Sequence, residues 1–148
     1  MGSFYFRYST RYLVDRGGEV IEFHLDTRSG VAPYMQLIQQ VRHALRLGVL
    51  NEGDKLPTVK EVVARVAINP NTVSKAYREL EYEGLVVARP GRGTFVTRTL
   101  GGDSLARHEP LRQHLERWLA EAREAGLDDE SIEALMLSTF RSFSEARA

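Results

Sequence analysis

Asn69-Pro70-Asn71-Thr72-Val73-Ser74-Lys75-Ala76-Tyr77-Arg78-Glu79-Leu80-Glu81 is the stretch on which the fold turns. Asn69 has the side chain of a helix N-cap, and Pro70 suits a first turn, where the backbone N–H has no intrahelical acceptor. Val73, Ala76, Tyr77 and Leu80 recur at i, i+3, i+4 and i+7, which places them on one buried face. Asn71, Ser74, Lys75 and Arg78 repeat that spacing on another face. Amides and hydroxyls followed by cations are what entry into a DNA major groove asks of a helix, since the former read base edges and the latter meet phosphate. A solvated surface carries any one of these residues equally well. The neighbouring segments decide between the two readings.

Downstream, Gly84 is expected to end the helix in a left-handed conformation. Two β-rich runs, 85–89 and 94–97, flank Pro90-Gly91-Arg92-Gly93, a turn composition that predicts a hairpin. Gly91 lets backbone N–H groups approach a phosphate closely, and Arg92 is long enough to enter a minor groove. Upstream, Thr58 and Glu61 have capping-box spacing, Val62, Val63 and Val66 supply a buried face, and Lys60 can clamp the DNA backbone. Before the turn at 51–57, Pro33 opens a helix whose stripe is Tyr34, Leu37, Ile38, Val41, Ala44 and Leu45. Residues 20–25 alternate as a short strand would, and Thr27-Arg28-Ser29-Gly30 stops it. Strand, helix, helix, turn, helix and hairpin is the order of a winged helix-turn-helix, a mainly α fold with small β.

The remaining segments divide the chain into an arm (1–20) of uncertain role, a DNA-binding domain (21–98) and a helical tail (99–148). The arm crowds Phe4, Tyr5, Phe6, Tyr8 and Tyr12 beside Arg7, Arg11 and Arg16. Gly101-Gly102-Asp103-Ser104 reads as a linker. Beyond it, Leu111, Leu115, Trp118 and Leu119 form one helical stripe, and Ile132, Leu135, Met136, Phe140 and Phe143 form another. Two such helices cannot bury these faces against each other alone. The expected structure is a two-helix hairpin that dimerises with a second copy, with those nine residues at the contact.

Composition agrees with this division. The chain of 148 residues has zero formal net charge, but 31–98 carry ten Lys and Arg against six acids while 99–148 carry six Arg against ten acids. A basic middle fits a polyanionic partner. With 43% hydrophobic and 27% charged residues, no signal-peptide core and no membrane-length apolar run, the expectation is a cytoplasmic protein that does not enter membranes. Zero cysteines exclude disulfides and thiol chemistry.

As a joint set, Gly53-Asp54-Lys55-Leu56-Pro57-Thr58-Val59-Lys60-Glu61, the Asn69–Glu81 stretch, Gly84-Leu85-Val86 and Gly91-Arg92-Gly93-Thr94-Phe95-Val96 resemble the DNA-binding domain of the GntR family of bacterial transcription regulators. Asn-Pro-Asn-Thr-Val and the short helical tail resemble its YtrA subfamily. The resemblance implies a homodimeric repressor on a palindromic double-stranded operator, often near transporter genes. It implies DNA contacts at Lys60, Pro70, Asn71, Thr72, Ser74 and Gly91, beside the Lys75, Arg78 and Arg92 read from the pattern. Lys60 and Ser74 stand where arginine is commoner in the family, so base preference does not carry over.

Other signals are weak. Gly91-x-Gly93 lacks a third glycine, a following helix and a Walker lysine, so no nucleotide loop is read there. His108 and His114 beside Asp103 and Glu109 have poor metal spacing, and no nucleophile elbow accompanies the serines, so no metal, cofactor or catalytic residue is assigned. Fifty tail positions are too few for a closed effector domain, which directs any small-molecule effector to the dimer interface, near Trp118, or to the linker. The competing function is a winged-helix adaptor that binds protein without touching DNA. That reading leaves the polar helix face without a task.

Overall fold

The computed structural model describes residues 21–101 and 105–147. The aromatic arm at 1–20 and the linker positions Gly102, Asp103 and Ser104 lie outside the described residues. The chain divides into two compact units, with the boundary between Leu105 and Ala106.

The first unit contains α1 (Pro33–Arg46), α2 (Val59–Val66), α3 (Pro70–Tyr82), β1 (Val86–Arg89) and β2 (Gly93–Val96). α1 begins at its proline and buries Leu37, Ile38, Val41, Ala44 and Leu45 of the predicted stripe, while Tyr34, in the first turn, is half-buried. α2 opens on the predicted capping box: the Glu61 N–H donates to the Thr58 hydroxyl at 3.2 Å, and the Thr58 N–H donates to the Glu61 carboxylate at 2.8 Å. Ala67 then takes a left-handed conformation, φ 47°, and turns the chain into α3. An alanine there carries the Cβ strain that glycine avoids, and its N–H donates to the Val63 carbonyl at 3.2 Å.

β1 and β2 form an antiparallel hairpin with Val86 opposite Val96 and Arg89 opposite Gly93. The segment ahead of α2 lies along the free edge of β2. Gly53 donates to Val96, Val96 to Asp54, and Leu56 to Thr94, all at 2.8–2.9 Å. This places Lys55 opposite Phe95 and ties the hairpin to the body.

The strand predicted at 20–25 does not form among the described residues. Ile21 and Phe23 are buried, as alternation requires, but the backbone finds side-chain amides where a strand would supply peptide groups. Gln40 accepts from the His24 N–H at 2.9 Å and donates to its carbonyl at 2.5 Å. Gln36 accepts from the Asp26 N–H and donates to the carbonyls of Asp26 and Val31 and to the Ser29 hydroxyl, at 2.8–3.0 Å. The neighbour of this segment is a helix, whose backbone groups are already paired along its axis, so glutamines on its surface satisfy the extended chain.

At the other end of the unit Leu100 packs on the core. Gly101 approaches the Arg46 carbonyl so closely that a Cβ would collide with it.

The second unit holds α4 (Leu105–Glu124), from its second residue on, and α5 (Asp129–Glu145). Asp128 caps α5 by accepting from the Ser131 N–H at 2.8 Å, and hydrogen bonding from Ser131 lowers the Asp128 pKa. The helices do not lie side by side along their length. Ala122 and Ile132, on either side of the connecting turn, are buried, while Leu111, Leu115, Leu135, Phe140 and Phe143 stay exposed. Trp118, Leu119 and Met136 are half-buried.

Gln36→Leu should remove the amide that serves two peptide groups of the extended segment. The Asp26 carbonyl keeps the Ser29 hydroxyl, so the loss falls on the part-buried Asp26 N–H and is worth about 1–2 kcal/mol, measurable as a lower urea midpoint with an unchanged slope.

Candidate nucleic-acid interface

α3 owes its orientation to the residues it buries. Val73, Ala76 and Leu80 are fully enclosed. Tyr77 packs its ring against Phe23 with centroids 6.5 Å apart and donates its hydroxyl to the Pro57 carbonyl at 2.5 Å. These anchors join α3 to the extended segment and to the turn before α2, so the helix is fixed in rotation about its own axis. Burial, and after it the Glu61 carboxylate, pushes the Tyr77 phenol above the ordinary tyrosine range.

The opposite face is open. Asn69 accepts from the Asn71 N–H at 2.8 Å and caps the helix, which leaves the Asn71 side chain exposed at the second position. Pro70, Lys75 and Arg78 are exposed, and Thr72 and Ser74 are half-buried. The side chains of Asn71, Ser74 and Arg78 make no hydrogen bond or ion pair with other described residues. Lys75 leans away from this row, its Nζ 3.9 Å from the centroid of the Tyr34 ring in α1. Lys60 is exposed in the first turn of α2, two positions after the cap. The structure thus gathers Pro70, Asn71, Thr72, Ser74, Lys75 and Arg78 on the start and outer side of α3, with Lys60 on the preceding helix.

The wing carries more charge than Arg92 alone. Arg92 is exposed at the tip, where its N–H donates to the Arg89 carbonyl at 2.9 Å and Gly91 has φ 73°. The Arg89 guanidinium lies over the Phe95 ring, 5.6 Å from its centroid. The Lys55 side chain crosses Gly93, where an added Cβ would come within 2.6 Å of its Cε. Gly93 therefore makes room for the stem of a third cation. Sequence reasoning missed Lys55 and Arg89. The available signal was the glycine just inside the second strand, which marks a close approach by another group.

Chemically, an exposed helix with amide and hydroxyl groups near its start, flanked by cations on α2, α3 and the wing, can engage base edges and phosphates together. Among the described residues no group of three or more His, Asp or Glu side chains is arranged to hold a metal. Glu109, a candidate in such a reading, is instead bound by Arg112, whose hydrogen bonds lower its pKa. No helix among the described residues is long and apolar enough to cross a membrane.

Comparison with known proteins agrees with the geometry. A family model described as bacterial regulatory proteins, gntR family, matches residues 33–96, from the start of α1 to the end of β2. The HTH-type transcriptional repressor YtrA of Bacillus subtilis is 36% identical over 109 residues, covering 73% of this chain and 84% of that protein. The regulator YhcF of the same organism is 33% identical over 112 residues, 76% of this chain and 89% of that one. A crystal structure described as a transcriptional antiterminator from Listeria monocytogenes superimposes with a TM-score of 0.51 at 32% identity, covering 80% of this chain and 89% of that one.

A raised phenol pKa means that the folded protein keeps the Tyr77 proton where the unfolded chain begins to lose it, near pH 10.0. The contribution of Tyr77 to stability is therefore full below that pH and declines as pH rises further. Tyr77→Phe should cost about 1 kcal/mol at neutral pH and flatten this alkaline decline, as urea denaturation at pH 7 and above pH 10 will show. Gly93→Ala should weaken the wing by about 1–2 kcal/mol, because it strains a residue at φ 125° and displaces Lys55.

Proposed function

The chain belongs to the GntR family of bacterial regulatory proteins, and from that premise we propose that it is a sequence-specific, homodimeric transcriptional repressor acting on a palindromic operator. The observation that carries the proposal is the open row of Asn71, Ser74 and Arg78 on a helix locked in rotation by Tyr77. α3 enters the major groove, with Asn71, Thr72 and Ser74 directed at base edges. Lys60 and Arg78 meet phosphates, and Arg92, with Gly91 beside it, reaches the adjacent minor groove. The cations act chiefly by releasing counterions, so affinity falls steeply with salt.

The second copy is supported by the tail. Leu111, Leu115, Leu135, Phe140 and Phe143 remain exposed, and Phe140 is 71% exposed. A helix pair that buries little of its own apolar surface gains by covering it with an identical pair. Coupling two half-site readers then raises the affinity for a palindrome above that of either alone. Similarity to a protein described as a transcriptional repressor supports repression as the sign of regulation; action in the cytoplasm, on transporter genes, belongs to the same proposal.

Fluorescence anisotropy on a duplex enriched by the protein from random-sequence DNA tests the proposal. Asn71→Ala should lose about 1–3 kcal/mol on the enriched duplex and little on a shuffled one. Arg92→Ala should weaken both. A chain that enriches no duplex, or whose binding ignores salt, is not a DNA-binding repressor and would favour the adaptor reading. Phe140→Glu should yield a monomer by sedimentation that binds one half-site as the wild type does and a full palindrome more weakly.

A further inference from the structure

Tyr34 has no assigned role, yet it meets one of the interface cations from a different helix. It lies in the first turn of α1, half-buried and packed on the core, so its ring is fixed by the packing of α1 on α3. The Lys75 ammonium stands over that ring, 3.9 Å from its centroid. Left to itself, a lysine on a four-carbon stem samples many rotamers. The negative face of an aromatic ring attracts the ammonium and restricts it before any duplex arrives. Among the described residues Lys75 has no acidic partner, so its charge remains available to an anion on the side away from the ring.

Direction matters as much as restriction. At roughly 100° per residue, Lys75 projects to one side of the line through Asn71 and Arg78, and Tyr34 draws the ammonium further that way, toward α1. Base edges lie along the middle of a groove and phosphates along its margins. Held on the α1 side of that line by the Tyr34 ring, the ammonium is where it can meet a phosphate along the margin of a groove.

We propose that Tyr34 is a positioning residue for DNA binding: its ring presets the Lys75 ammonium on the phosphate backbone, so that Lys75 supplies affinity and register while base choice is left to Asn71 and its neighbours. This rests on the DNA-binding reading above and adds a partner and a division of labour to it.

The test uses the full chain with the enriched duplex and its shuffled counterpart across a salt series, with folding checked by circular dichroism. Lys75→Ala should weaken binding to both duplexes by a similar factor and lower the salt slope by about one. Tyr34→Leu should weaken both about two- to fivefold, the worth of an exposed cation over a ring. The double variant should bind no more weakly than Lys75→Ala, and Tyr34→Phe, which keeps the ring face, should bind as the wild type does. Additive losses, or a Tyr34→Phe as weak as Tyr34→Leu, would overturn the proposal, the latter by assigning the role to the hydroxyl. A Lys75→Ala loss confined to the enriched duplex would make Lys75 a base reader and overturn it too. Failure of the wild type to bind DNA would instead bring down the DNA-binding reading itself.

Discussion

α3 must be held immobile on one side and left bare on the other, and most of the first unit follows from that requirement. Val73, Ala76 and Leu80 set its depth against α1 and α2, and Tyr77 sets its rotation through Phe23 and Pro57. Because i, i+3 and i+4 neighbours share a face, fixing the buried residues also fixes where Asn71, Ser74 and Arg78 project. A rotation by one position would carry polar side chains into the core and valine into solvent. The same contacts that fold the domain therefore aim the row proposed to read DNA, and a core substitution at Tyr77 would reach that row without touching it.

Much of this was legible in the sequence, for identifiable reasons. Thr58 with Glu61 and Asn69 with Pro70 are local signals, complete within four residues, and both mark helix starts in the structure. The hairpin around Pro90-Gly91-Arg92-Gly93 is equally local. What failed depends on partners distant in sequence. The alternation at 20–25 correctly indicates that Ile21 and Phe23 are buried, but a pattern of period two does not say whether the neighbour is a strand or a row of glutamines on a helix. Lys55 reaches the wing by crossing Gly93, and Lys75 meets a ring on α1. Neither pair shares a helix or a hairpin in which spacing would expose it.

The tail shows a related limit. Its two stripes are visible as periodicity, and Ile132 stands among the residues that the pattern marks as apolar. Burial, however, is confined to Ala122 and Ile132 beside the turn, and the rest of both faces stays exposed or half-buried. Periodicity identifies which face is apolar and leaves open what covers it. Among the described residues, most of this surface stays exposed or half-buried.

The glutamine clamps grip main-chain atoms at His24 and Asp26 and make no demand on the His24 side chain, which points into solvent. Position 24 is thus a surface-facing attachment point whose peptide groups are held by Gln40, in a chain that contains no cysteine. A single thiol introduced there would take a dye or spin label at one site, in register with α1, and report where the domain travels without altering any group assigned to the duplex.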